Sequence, residues 1–428
     1  MRLVAAIAFA GLLAGATPLM AQEAGETDVA AFQRLRAEGV AAANADDLAV
    51  ASARLAEADG HIPNHPGLML MRARLAAGSE QPEAALAQVR RYAEAGLVVN
   101  LAGDRALSTL ADQPGFEAVA AVLEANRAPV GAERLTMLAA IPGGGLVESV
   151  ARDEARGRWL VAMVRDRTIV ALDDAGAVSP FLAPGAEIGG VLGLAMDVEA
   201  GLLWAATAPV PPAVHGRAGD APPLASALLK IDAATGRVLG RFPAPEGQMT
   251  GDVALGPDWT VYVAGGDLFQ LKPGGGALEV LLPAGQMQSP QGMAVTPDGE
   301  ALIVADYSSG LWRVDRASGA AVRLEAPANA SLIGIDGLIS DGRFVYALQN
   351  GTAPQRVLKL SLDAGWTRIE AVEALAANLS AIDEPTTGVI RDGDLVFVSR
   401  SQWSDFDGEG APRSADRAPA LIARLRLD

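Results

Sequence analysis

Five side chains carrying oxygen donors recur along the last two thirds of this 428-residue chain: Glu148, Asp252, Gln291, Asp336 and Glu384. Each opens or precedes a short apolar run. The openings are Val147-Glu148-Ser149-Val150, Gly251-Asp252-Val253-Ala254, Pro290-Gln291-Gly292-Met293, Ile335-Asp336-Gly337-Leu338 and Glu384-Pro385-Thr386-Thr387. A sixth, Leu192-Gly193-Leu194-Ala195, has the same form without a functional group. Carboxylates gathered in one place repel, so they need a cation or shared protons. Oxygen ligands without cysteine or histidine favour a hard ion, calcium ahead of magnesium or manganese. Such an ion polarises an ester carbonyl and lowers the pKa of a bound water. A neighbouring carboxylate would then act as general base. A water-filled polar channel would present the same residues without any chemistry, so both readings stand at this point.

The elements that must position these residues follow from the spacing. The openings recur every roughly 40–50 residues, with one longer step between Gly193 and Asp252, and several short strands per unit make this the period of a β-propeller. In that fold the first residues of each innermost strand crowd around a central channel. Turn chemistry agrees. Thr296-Pro297-Asp298-Gly299 reads as a hairpin turn and Gly256-Pro257-Asp258-Trp259 as its degenerate copy. Leu229 to Gly236 and Trp312 to Gly319 are one outer hairpin written twice. The sixth unit offers only three strands, near 387–391, 394–399 and 419–427, while residues 134–140 read as a lone strand. That strand is expected to complete the last blade and close the ring, removing open edges. The expected fold class is an all-β six-bladed propeller over 132–428, preceded by an α-helical, tetratricopeptide-like domain over 27–126.

Further candidates lie near the same openings. Gln349-Asn350-Gly351 ends a strand with two amides, and Asn350 is placed with Asp252 and Glu384 as channel-facing. Asp306-Tyr307 ends a strand in the fourth unit and reads as a turn or blade-packing pair, and Arg400-Ser401-Gln402-Trp403 as lining for the channel mouth. Insertions at 208–225 and 403–418 are candidates to roof a site. The second contains Asp405 and Asp407 but lacks the spacing of a twelve-residue calcium loop. Only His61, His65 and His215 exist, none at a unit opening, which disfavours a histidine dyad and a Ser-His-Asp hydrolase. No glycine-rich phosphate loop follows a strand.

The Glu of the first unit, the Pro-polar-Gly of the fourth (Pro290-Gln291-Gly292) and the Asp-Gly of the fifth (Asp336-Gly337) resemble the senescence marker protein/gluconolactonase family of six-bladed propellers. The resemblance covers about residues 134–428. It implies a divalent cation, usually calcium, held by Glu148, Gln291 and Asp336, with Asp336 also the base in lactone hydrolysis. Two departures stand out. Gln291 replaces the family's asparagine, one methylene longer but still offering a carbonyl oxygen. Gly251-Asp252-Val253 replaces Asn-Asp-Gly in the third unit, so an amide is missing there.

Residues 27–126 are rich in Ala, Leu, Glu, Arg and Gln, and helices are expected near 27–43, 46–58, 67–77, 82–95, 104–111 and 115–126. A self-match at an offset of 36 pairs Ala37 with Ala73 and Ala41 with Ala77. A groove for a protein partner and a helical cap packed on the propeller are equally open. Met1-Arg2 followed by an apolar stretch and Pro18-Leu19-Met20-Ala21 reads as a secretory leader cleaved after Ala21, with a periplasmic destination. The mature chain has no apolar stretch long enough to span a bilayer. The absence of cysteine excludes disulfides and thiolate chemistry. A net charge of −17 disfavours nucleic acid. Two functions remain open: a metal-dependent hydrolase with a small-molecule substrate, and a non-catalytic binding or scaffold protein that uses its helices for partners and its propeller for ligand sensing.

Overall fold

A computed structural model describes residues 26–182, 187–217 and 224–428. The expected leader, 1–21, lies outside the described residues. Six four-stranded antiparallel sheets form a closed six-bladed propeller. The innermost strands are Val147–Asp153, Gly190–Asp197, Thr250–Leu255, Pro290–Val295, Ile335–Ser340 and Gly388–Arg391. Each blade meanders outward from there through hairpins. The exception is the sixth, whose fourth strand, Leu135–Ile141, comes from the start of the domain and pairs with Ala420–Arg426. Ring closure thus joins the two ends of the propeller chain by backbone hydrogen bonds, and each blade keeps only short edge strands.

Adjacent innermost strands come close because glycines stand where they touch. A Cβ on Gly193 would lie 2.7 Å from Asp252 Cα and from Gly251 O. Gly292 faces the backbone of Asp336 and Leu338, and Gly337 that of Thr386. The apolar residues between blades form the cores, with Trp159, Tyr262, Phe269 and Phe397 among the largest fully buried side chains. Gly193→Ala is expected to push blades two and three apart and destabilise the protein by about 1–3 kcal/mol, as overpacking does. A urea unfolding curve would measure it.

Among the described residues five α-helices precede the propeller: α1 (Asp28–Asn44), α2 (Leu48–His61), α3 (Pro66–Gly78), α4 (Pro82–Glu94) and α5 (Phe116–Ala125). Thr27, Asp47 and His65 cap the first three by accepting from backbone N–H groups. The helix expected at 104–111 is only a 3₁₀ turn, Leu107–Leu110. Asp104 Oδ1 accepts from both Ala106 N and Leu107 N, which fixes a tight turn, and its other oxygen takes Arg74 Nε at 2.8 Å. Among the described residues no helix is long and apolar enough to cross a membrane.

The helices lie against the propeller rather than apart from it. Phe32, Leu35, Leu55 and Leu68 share one apolar cluster with Met287, Leu281 and Leu282 of the blades. Polar contacts fall on three loops that lead into innermost strands and on the loop between the second and third strands of blade five. Gln33 donates to Gln288 at 2.6 Å, Asn64 to Ala328 O at 3.1 Å, Val98 N to Ala353 O at 2.7 Å, and Asn378 to Asn126 O at 2.8 Å. Those loops all open on the face where the innermost strands begin, so the helices cover that face over blades three to five.

Candidate functional site

Each of the first five innermost strands breaks its pairing with the second strand near its first residues. The breaks fall between Val147 and Val150, Val191 and Leu194, Thr250 and Val253, Pro290 and Met293, and Ile335 and Gly337. The residues caught in them include Glu148, Gly193, Asp252, Gln291 and Asp336. A bulge releases a residue from the ladder and re-aims its side chain. The recurring opening read from the sequence is therefore a recurring bulge at one end of the channel. In the sixth blade Glu384 stands ahead of the strand with a left-handed backbone, φ 56°.

The carboxylates act on one another. Burial raises Glu148 well above the usual carboxylate range, and Asp336, Asp252 and Glu384 push it further, while Trp403 opposes them. Burial and Asp336 push Asp252 up to about 8. Asp336 is raised by burial, held back by Asn350 and raised again by Glu384. Glu384 is raised by burial and by Asp383 and Asp405, against the hydrogen bond from Ser404 N. Glu148, Asp252, Asp336 and Glu384 thus share one electrostatic site, and the strongest charges on Glu148 are all negative.

A second layer orients them. Asn350 Nδ2 donates to Asp336 Oδ2 at 2.6 Å and to Pro385 O at 3.1 Å, and Tyr307 OH donates to Asn350 Oδ1 at 2.9 Å. Trp403 Nε1 donates to Glu148 Oε2 at 2.5 Å, and Ser404 N to Glu384 Oε2 at 2.8 Å. Gln291 Nε2 donates to Ser289 Oγ at 3.0 Å, and Ser289 N to Asp306 Oδ1 at 2.7 Å. Asp306 thus braces the Gln291 loop, as its blade-packing reading expected, whereas Tyr307 reaches the site through Asn350. The Arg400–Trp403 run does reach the mouth. That its indole would grip Glu148 had no local signal, because the pair lies 255 residues apart. Asp407, in the stretch with a calcium-loop look, spends Oδ1 on Glu409 N and Ala411 N and shapes its own turn.

The two insertions meet above blades one and two. Phe406 packs with Leu146, Val164, Leu192, Val210 and Ala213, and Gly410 touches Pro211. A short helix, α6 (Pro211–Val214), supplies the blade-two side. With α1–α5 over blades three to five, the carboxylate end of the channel is walled on both sides.

The donor set suits a hard cation in type. Among the described residues Asp252 accepts no hydrogen bond, and neither do Gln291 Oε1, Asp336 Oδ1 or Glu148 Oε1 from any protein donor. Two carboxylates and an amide oxygen would be available at Glu148, Asp336 and Gln291. No three acidic, imidazole or thiol side chains among the described residues form a ready-made metal cage.

No protein-family model matches the chain, and no curated protein does. Solved structures do. A gluconolactonase from Xanthomonas campestris is 15% identical, with a TM-score of 0.45 over 68% of this chain and 89% of the other. A calcium-binding protein, regucalcin, from Agrobacterium tumefaciens is 16% identical, with a TM-score of 0.44 over 69% and 92%. Virginiamycin B lyase from Staphylococcus aureus is 12% identical, with a TM-score of 0.45 over 69% and 99%. The structural neighbours include gluconolactonase- and regucalcin-like propellers. At these identities the likeness concerns the chain fold, and a lyase appears among the same neighbours.

One pH dependence follows from the site. Carboxylates whose folded pKa is raised stabilise the protein below their unfolded value and lose that contribution as pH rises through the folded one. For Asp252 the window runs from about 4 to about 8. In chelator, stability is therefore expected to fall across that window by on the order of 2 kcal/mol, allowing for screening in a solvated channel. Melting temperatures from pH 5 to 8 would check this, and added calcium is expected to flatten the slope.

Proposed function

We propose that this protein is an exported, divalent-cation-dependent hydrolase of a lactone or related ester. Glu148, Gln291 and Asp336 hold the ion, calcium before other metals, and Asp336 also serves as the base. The observation that carries the reading is the convergence of bulge-aimed, mutually repelling oxygen donors at one walled end of the channel. When bound, the cation polarises the ester carbonyl and lowers the pKa of water. Asn350 fixes Asp336 through Oδ2, and the Asp336 carboxylate takes a proton from the attacking water. Tyr307 and Pro385 O fix Asn350 in turn. Trp403 and Ser404 hold the outer carboxylates and exclude bulk water from one side. Asp252 and Glu384 tune the charge.

The test is a calorimetric titration of the mature chain, 22–428, with calcium after chelation, followed by a panel of aldonolactones. Stoichiometric binding together with calcium-dependent lactone opening is expected. Failure to bind calcium, manganese or zinc would sink the reading and leave the scaffold function, in which the helices recruit a protein. Binding without hydrolysis would leave a ligand-sensing propeller.

A further inference from the structure

The six blades provide an internal control for the turn that joins the innermost strand to the second strand, at the end of the channel away from the carboxylates. In five blades a glycine takes a left-handed backbone in that turn: Gly157 (φ 61°), Gly201 (64°), Gly299 (73°), Gly342 (82°) and Gly393 (81°). In blade three the left-handed residue is Trp259, φ 63°. Gly299 and Trp259 end matched Pro-Asp-Gly and Pro-Asp-Trp turns, each donating its N–H three residues back, to Thr296 O at 2.8 Å and Gly256 O at 3.0 Å. A bulky residue in this region is an outlier that costs backbone free energy.

Burial does not repay that cost. Trp366 is also left-handed, at φ 52°, but it is only 8% exposed and sits inside an apolar core. Trp259 is 42% exposed, the one aromatic side chain among the exposed large apolar residues described. It lines a cavity of about 380 Å³ between blades two and three with Trp204 and Phe242, whose ring centroids are 6.0 Å apart. That volume is in the range of small-ligand sites. The polar part of the wall is balanced in charge. Lys230, with Nζ 5.7 Å from the Trp204 ring, and Lys272 line it together with Asp197 and Glu199. Lys272 also pairs with Glu279 at 3.1 Å.

From these observations we infer a second ligand site, for a neutral sugar ring, centred on Trp259 and separate from the carboxylate channel. Aromatic faces take the C–H face of a pyranose. Carboxylates accept from its hydroxyls and ammonium groups donate to them, whereas a ligand of one charge would meet a like charge on the wall. The strained tryptophan supplies the exposed stacking face.

The mature protein would be titrated by tryptophan fluorescence with glucose and with β-1,4-glucose, α-1,4-glucose and N-acetylglucosamine hexasaccharides. A saturable change with at least one of them is expected. Glucose as the best probe marks a free sugar, and a hexasaccharide alone marks a glycan chain. Trp259→Gly restores the residue of the sister turns, so it is expected to fold, to melt higher than the parent and to bind at least about tenfold more weakly. Trp259→Phe keeps an aromatic face and is expected to recover part of that loss. No saturable response at millimolar sugar overturns the site, as does equal affinity in Trp259→Gly. Tighter binding of indole-3-acetate than of any saccharide overturns the ligand class.

Discussion

Asp336→Asn is expected to lower calcium affinity by about 100-fold or more, since even outer partners of a metal site are worth about 10–100-fold. The substitution keeps the shape of the side chain and an oxygen to accept from Asn350, so the bulge is expected to persist. What it removes is the charge. Asp336 raises Glu148 and Asp252, and Glu384 raises it. Losing one carboxylate therefore relieves repulsion on the others. In chelator near pH 8, where the crowded carboxylates weaken the fold most, the variant is expected to melt higher than the parent. In calcium the order is expected to reverse, because only the parent gains from the ion. Calorimetry and paired melting curves read both effects. A variant that binds calcium like the parent would remove Asp336 from the site. A variant that melts lower in both buffers would make its role structural. Asn350→Ala is expected to give a smaller loss of affinity by freeing Asp336 Oδ2.

Arg356→Met is expected to cost about 3–6 kcal/mol, the largest effect on stability foreseen for one side chain here, because it strands several buried acceptors at about 1–3 kcal/mol each. Arg356 is buried between the helices and blade five. Its Nη1 donates to Ala95 O at 2.9 Å and to Gly96 O at 3.3 Å. Its Nε and Nη2 donate to Gln349 Oε1 at 2.9 and 2.5 Å. Burial lowers the guanidinium to about 10, so its charge is held at a cost and repaid only by this network. Gln349 in turn donates to Ser331 O and Ile333 O, and its neighbour Asn350 holds Asp336. The network links the end of α4 to the channel. Denaturant unfolding of the variant is expected to separate into two transitions, with the helices cleaved first under limited proteolysis. A single transition with little change in midpoint would mean that the apolar contacts of α1–α3 dock the helices without Arg356.

Much of the propeller was legible in the sequence because its information is local and repeated. An apolar run, a turn and a second run recur, and a lone strand before the first unit matches a missing strand in the last. Ring closure then follows from the need to pair that lone strand. The helix expected at 104–111 misread a segment in which Asp104 bonds to its own following N–H groups. Side-chain competition of that kind leaves little trace in composition.

By itself the sequence determined the six blades and the helical region before them, since strand and helix periods and turn residues act over a few positions. Only the tertiary structure decided that the heads of innermost strands are bulges, because a bulge exists only relative to a paired strand. It also decided that Trp403 grips Glu148, that Arg356 ties α4 to the channel, and that Trp259 takes a glycine's backbone beside a cavity. The first two join residues more than 250 positions apart. Contacts at that separation depend on how blades and helices pack, which no local pattern encodes.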